Sequence, residues 1–99
     1  MPMTVGILSF ELHLPSCRSL KQKRKVIRGM IDRIHARYRV SVAETDFHDL
    51  HQRSEIGVAV VSHGVSEVER LLDGIRQIVD LEMEAMVTHW NPQILEADE

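Results

Sequence analysis

Six basic residues crowd into eleven positions: Arg18, Lys21, Lys23, Arg24, Lys25 and Arg28. At 100° per residue, Lys21, Arg24, Lys25 and Arg28 share an arc of about 100° on a helix. Cations in the first half of a helix oppose its dipole and repel one another. A phosphate backbone relieves both costs, so this cluster could bind a polyanion such as RNA through phosphates rather than bases. The alternative is a solvated helix face whose long stems cover apolar surface. A second constellation, Asp46, His48, Asp49 and His51, could hold a divalent metal or exchange protons. Its alternative is turn capping by Asp46 and Asp49, with a salt bridge to Arg53. Cys17 precedes the basic run, where a helix N-terminus and Arg18 lower a thiol pKa, but no base or electrophile site accompanies it. No Gly-rich phosphate loop, serine elbow or histidine metal motif is present.

The elements that must position these groups follow from periodicity. Val5 to Leu14 alternates, with Leu8, Phe10, Leu12 and Leu14 on one side, and reads as a strand ended by Pro15. Ser19 and Gln22 form a capping box for a helix with the stripe Leu20, Ile27, Met30, Ile31, Ile34 and Tyr38, ending near Tyr38. Val40 to Thr45 and Ser54 to Ser62 are further strands, the second apolar on both faces and therefore central. Ser66, with Glu69 three residues on, caps a second helix buried through Val68, Leu71, Leu72, Ile75, Ile78 and Val79. A fourth strand is expected over Met83 to Trp90, and residues 92–99 as a frayed acidic tail, leaving residues 1–91 as the domain.

The order β-α-β-β-α-β is the split βαβ pattern of a ferredoxin-like α+β sandwich. It implies a four-stranded antiparallel sheet, spatial order four, one, three, two, with two helices on one face. The other face then carries Val5, Ile7, Ala43, Ala59 and Val61 with no layer over it. Such a set suits a partner, a second copy of the chain included, so a homodimer through Val5, Ile7, Ala59 and Val61 is expected. It lacks the aromatic side chains on which an RRM stacks bases.

Composition narrows the class. The 99 residues, 11.4 kDa and 43% apolar, form one globular domain without room for two lobes and a cleft, which argues against a large multi-substrate enzyme. One cysteine excludes an intrachain disulfide and a Cys cluster for zinc or iron–sulfur, and no cofactor is implied. The apolar runs are too short to span a bilayer, and the N-terminus shows no signal-like segment, so a cytoplasmic protein with no membrane partner is expected. The net charge of −3 hides a division: residues 1–39 carry nine Lys or Arg against Glu11 and Asp32, whereas residues 40–99 carry three basic and thirteen acidic residues. One basic patch on an acidic remainder is the consequence.

Several of these residues also carry a resemblance. Ser19-Leu20-Lys21-Gln22-Lys23-Arg24 follows a strand ending Glu11-Leu12-His13-Leu14-Pro15. Then come Val40-Ser41-Val42-Ala43-Glu44, Asp46, Asp49, Gln52-Arg53 and Ile56-Gly57-Val58-Ala59-Val60-Val61-Ser62. To about Glu84 the chain resembles the YlxP-like family of small bacterial proteins, a domain of unknown function. The resemblance implies a ferredoxin-like fold. It also implies an RNA- or ribosome-linked role, because genes of the family often lie among those for translation initiation and ribosome maturation factors. By position it makes Lys21, Lys23 and Arg24 the family's basic motif, and Asp46 and Asp49 its acidic loop. His51 stands where many members have tryptophan, and the tail beyond Trp90 lies outside the likeness. The leading expectation is a non-enzymatic accessory protein that contacts RNA or a ribonucleoprotein particle. The alternatives are a protein-interaction or homodimer module, and a small enzyme or metal-binding protein using the Asp/His loop.

Overall fold

Period-two burial along β1 (Met3–His13) decides how the molecule is layered. Leu8, Phe10 and Leu12 are buried, while Val5, Ser9, Glu11 and His13 between them are half-buried and Ile7 is exposed. One face is therefore core and the other open. The computed structural model describes residues 3–97. After β1 come α1 (Leu20–Arg37), β2 (Ser41–Asp46), β3 (Arg53–Ser62), α2 (Val65–Asp80) and β4 (Met86–Ala97). The strands form one antiparallel sheet in the order β2-β3-β1-β4, the expected ferredoxin-like arrangement.

Both helices cover the core face. Val26, Ile27, Met30 and Ile34 of α1 join Val68, Leu72, Ile75, Ile78 and Val79 of α2 over Leu8, Phe10, Leu12, Ile56, Val58 and Val60. Two glycines permit the close approaches. A Cβ at Gly6 would run into Val68, and one at Gly74 would collide with the Tyr38 hydroxyl, so α2 sits low on β1 and against the end of α1. Among the described residues no helix is long and apolar enough to cross a membrane.

Three local expectations are corrected. Residues 92–97 are not a tail: β4 continues to Ala97 and pairs with β1 back to Met3, while residues 98 and 99 lie outside the described residues. Asn91-Pro92 reads as a breaker, yet β4 is an edge strand, where the missing N–H of a proline can face solvent. Trp90 lies opposite Phe10 with ring centroids 5.1 Å apart, and Ile94 packs on the core beyond it. The strand also starts later than Met83, because Leu81 and Glu82 still donate to carbonyls of α2 as the helix unwinds. Finally, Ser19 caps α1 as expected, but the reciprocal bond of its box and the cap of α2 differ. Ser19 Oγ accepts from Gln22 N at 3.1 Å, but the Gln22 side chain accepts from Arg18 N rather than from Ser19. α2 is capped by Gly64 without a side-chain bond, Ser66 lying inside it.

Ending the chain after Asn91 strips β1 of its partner from Met3 to Leu8. The urea midpoint should fall, by an amount equivalent to about 2 kcal/mol or more. An unchanged midpoint would show that the second half of β4 stabilises nothing.

Candidate nucleic-acid interface

The capped N-terminus of α1 aims the basic run outward, with one exception. Arg18, Lys21, Arg24, Lys25 and Arg28 are exposed, and none is in an ion pair with another described residue. Lys21, Gln22, Arg24, Lys25, Arg28 and Asp32 wall a shallow hollow at Gly29, whose missing side chain leaves it open. No acidic side chain stands in the first turn of α1, so no protein charge neutralises the positive end of the dipole there.

Lys23 is the exception, and it leaves the predicted contact set. It stands four, seven and eleven residues before Ile27, Met30 and Ile34, on the stripe that α1 buries. Its side chain is 1% exposed. The ammonium donates to Phe47 O at 2.8 Å and Arg53 O at 3.2 Å, and lies 2.8 Å from Glu44 Oε2. Three donors thus meet three acceptors. Glu44 comes from β2, where alternation after Val42 turns it to the core face, and Ser54 Oγ donates to the same carboxylate oxygen at 2.6 Å.

This contact fixes the loop after β2. Phe47 takes a left-handed backbone, φ 64°, at a cost of order 1 kcal/mol. Asp46 Oδ1 accepts from Phe47 N at 2.7 Å and holds the turn. Gln52 adds a second tie, its Nε2 donating to Pro15 O and Cys17 O at 3.2 and 3.3 Å. Arg53 turns away from the loop acids, contrary to expectation. It pairs with Glu11, diagonal to it on β1, at 2.7 Å, and lies 3.8 Å over the Phe47 ring. His48 contacts Glu44 O at 3.1 Å, while Asp49 and His51 are exposed. Among the described residues no three His, Cys, Asp or Glu side chains come together as a metal site, so the structure does not gather Asp46, His48, Asp49 and His51 into one.

Cys17 also departs from its sequence reading. Burial pushes its thiol pKa up, Glu84 adds to the rise, Lys23 opposes it and Glu82 adds further. Desolvation outweighs the nearby Lys23 cation, so the buried thiol is a packing group rather than an activated nucleophile.

Against this geometry, the model of the family described as "Protein of unknown function (DUF503)" matches residues 5–91. The chain belongs to that family. The match runs past Glu84, where the motif likeness ends, and includes Trp90. A similar protein is the uncharacterized protein YlxP of Bacillus subtilis (strain 168), 29% identical over 76 residues, 77% of this chain and 83% of that one. Among solved structures, a C-terminal segment of the alpha subunit of aIF2 from Pyrococcus abyssi superposes over 100% of this chain with a TM-score of 0.52 and 17% identity. That likeness is one of fold, and the chain spans about half of the segment, 53%.

The structural role of Lys23 was readable from spacing, because it falls on the apolar stripe between Leu20 and Ile27. Its place within a basic run hid it. Leu95, which lies beside Val5 on the open face, was missed because the segment that carries it was read as a tail.

Replacing Lys23 with Ala leaves Glu44 without its cation and the carbonyls of Phe47 and Arg53 without their donor, and should cost about 3 kcal/mol in urea unfolding. Joint replacement by Lys23→Met and Glu44→Leu should cost less than the two single changes summed, as a double-mutant cycle would read. For Cys17 the raised thiol pKa means that its contribution to stability is complete at neutral pH and is lost as pH rises through the folded-state value. Unfolding measured against pH should therefore show an alkaline loss that Cys17→Ala removes.

Proposed function

We propose that the protein is a non-enzymatic accessory that binds RNA, free or within a ribonucleoprotein particle, through the outer face of α1. Its RNA ligand brings a cytoplasmic, ribosome-linked setting with it. The observation that carries this reading is the exposed, unpaired row of Lys21, Arg24, Lys25 and Arg28, with Arg18 at its head. Its members lie within about 11 Å along one helix axis. A rigid row of this kind meets a phosphate backbone without ordering a loop first. Among the described residues no Phe, Tyr or Trp stands at an open-face position of β1, β3 or β4, which favours contact with phosphate over stacked bases. Structured or duplex RNA, whose phosphates keep a fixed spacing, fits a rigid helix better than a single strand.

Fluorescence anisotropy with a structured RNA tests this. Affinity should fall steeply with salt and vary little with sequence, with roughly a hundredfold loss between 50 and 200 mM salt for about four phosphate contacts. The variant Lys21→Gln, Arg24→Gln, Arg28→Gln should lose most of the binding and flatten the salt slope by about 2–3. It leaves Lys23 in place, so its circular dichroism should match the parent. Equal affinity of parent and variant would refute the assignment to α1.

A further inference from the structure

The open sheet face has two unlike ends. At one end the charges are satisfied within the chain. Glu11 holds Arg53 at 2.7 Å and His89 at 3.1 Å, and Glu55 accepts from the Thr45 hydroxyl at 2.6 Å. At the other end the face is apolar and continuous across strands. Val61, Val5 and Leu95 form one row over β3, β1 and β4, Ala59 and Ile7 lie in the next, and Met3 stands beyond. Val61 is 66% exposed, Leu95 52%, Met3 48% and Ile7 39%. These are four of the eight large apolar side chains exposed among the described residues, so exposure is concentrated here rather than scattered.

We propose that two copies of this chain pack sheet to sheet over this face as a two-fold dimer. Area supports a partner of this size. With strands about 4.8 Å apart and rising about 3.3 Å per residue, the whole open face, its polar end included, measures roughly 600 Å² in plan. The accessible surface of a pleated face exceeds its plan, which brings it near the roughly 800 Å² per partner of a stable interface. Charge layout favours a second copy over a different chain. The apolar rows themselves hold no charge, Arg39 standing at their β2 edge in a hollow it shares with Val5, Ala59 and Val61, and a two-fold sets the rows against each other. At the far end Glu11 keeps Arg53 and His89, and Glu55, which has no cation among the described residues, keeps the Thr45 hydroxyl. Both helices of each copy lie on the outside of such a pair. The cations of α1 therefore stay accessible, and the dimer stands or falls independently of RNA binding.

Sedimentation equilibrium of the full chain over a wide dilution series tests the proposal, with Val61→Glu and Leu95→Glu as separate variants. Both sites are at least half exposed, so both variants should fold, with far-ultraviolet circular dichroism as the check. The parent should sediment at about twice 11.4 kDa, with little dependence on salt. Each variant places two carboxylates in the two-fold contact and should raise the dimer dissociation constant by roughly a hundredfold or more. A parent that stays monomeric at the highest concentration overturns the proposal and leaves the patch to a different partner. A variant that folds and dimerises like the parent overturns it too, by placing the contact elsewhere.

Discussion

The ammonium of Lys23 is the constraint on which the candidate surface depends. Withdrawing a charge from water costs several kcal/mol unless each of its donors is met, and here two carbonyls and a carboxylate meet them. Those acceptors come from the end of β2, the loop behind it and the start of β3. One side chain therefore joins α1 to the whole β2–β3 hairpin. It also sets the roll of the helix. With Lys23 turned to the sheet, Lys21, Arg24, Lys25 and Arg28 must turn away from it. The buried cation keeps the exposed ones exposed.

The two helices lie on the same face with unlike charge. α1 shows a basic outer row, and α2 shows Glu67, Glu69, Asp73 and Asp80 at exposed positions. The Arg76 cation of α2 is engaged by Asp80 at 2.9 Å and by the Trp90 ring at 4.8 Å. On the α2–β4 connection, Glu82 holds Arg33 of α1 at 2.8 Å. With Arg70 as the one other cation of α2, the outer face of α2 stays net acidic while that of α1 is basic. The net charge of −3 conceals this division, which matters at distances of about a Debye length.

Element order, sheet topology and the core face were legible because each rests on one period repeated over many residues. Leu8, Phe10, Leu12, Val58 and Val60 are core as their alternation requires. What was not legible depended on neighbours distant in sequence. Lys23 belongs to the basic run by type and to the apolar stripe by spacing, and only Glu44, on another element, decides between them. The end of β4 follows from its edge position, since Pro92 in a central strand would break the ladder. Arg53 reaches Glu11 because β1 and β3 pair, not because of any acid close to it in sequence. For Cys17, local charge pointed to a lowered pKa, and burial supplied by elements far along the chain reversed the direction.

The position of β1 has a consequence for how the molecule is made. It is the first element of the domain, yet it lies between β3 and β4, the fourth and last. During synthesis its apolar face leaves the ribosome early and waits for both flanking strands. Its ladder with β4 joins residues at opposite ends of the described chain, Met3 with Ala97. Loop-closure entropy must be met before such a pair is rewarded, so the β1–β4 ladder carries the largest closure cost of the sheet. The growing chain therefore carries an open strand edge until nearly all of the domain has emerged.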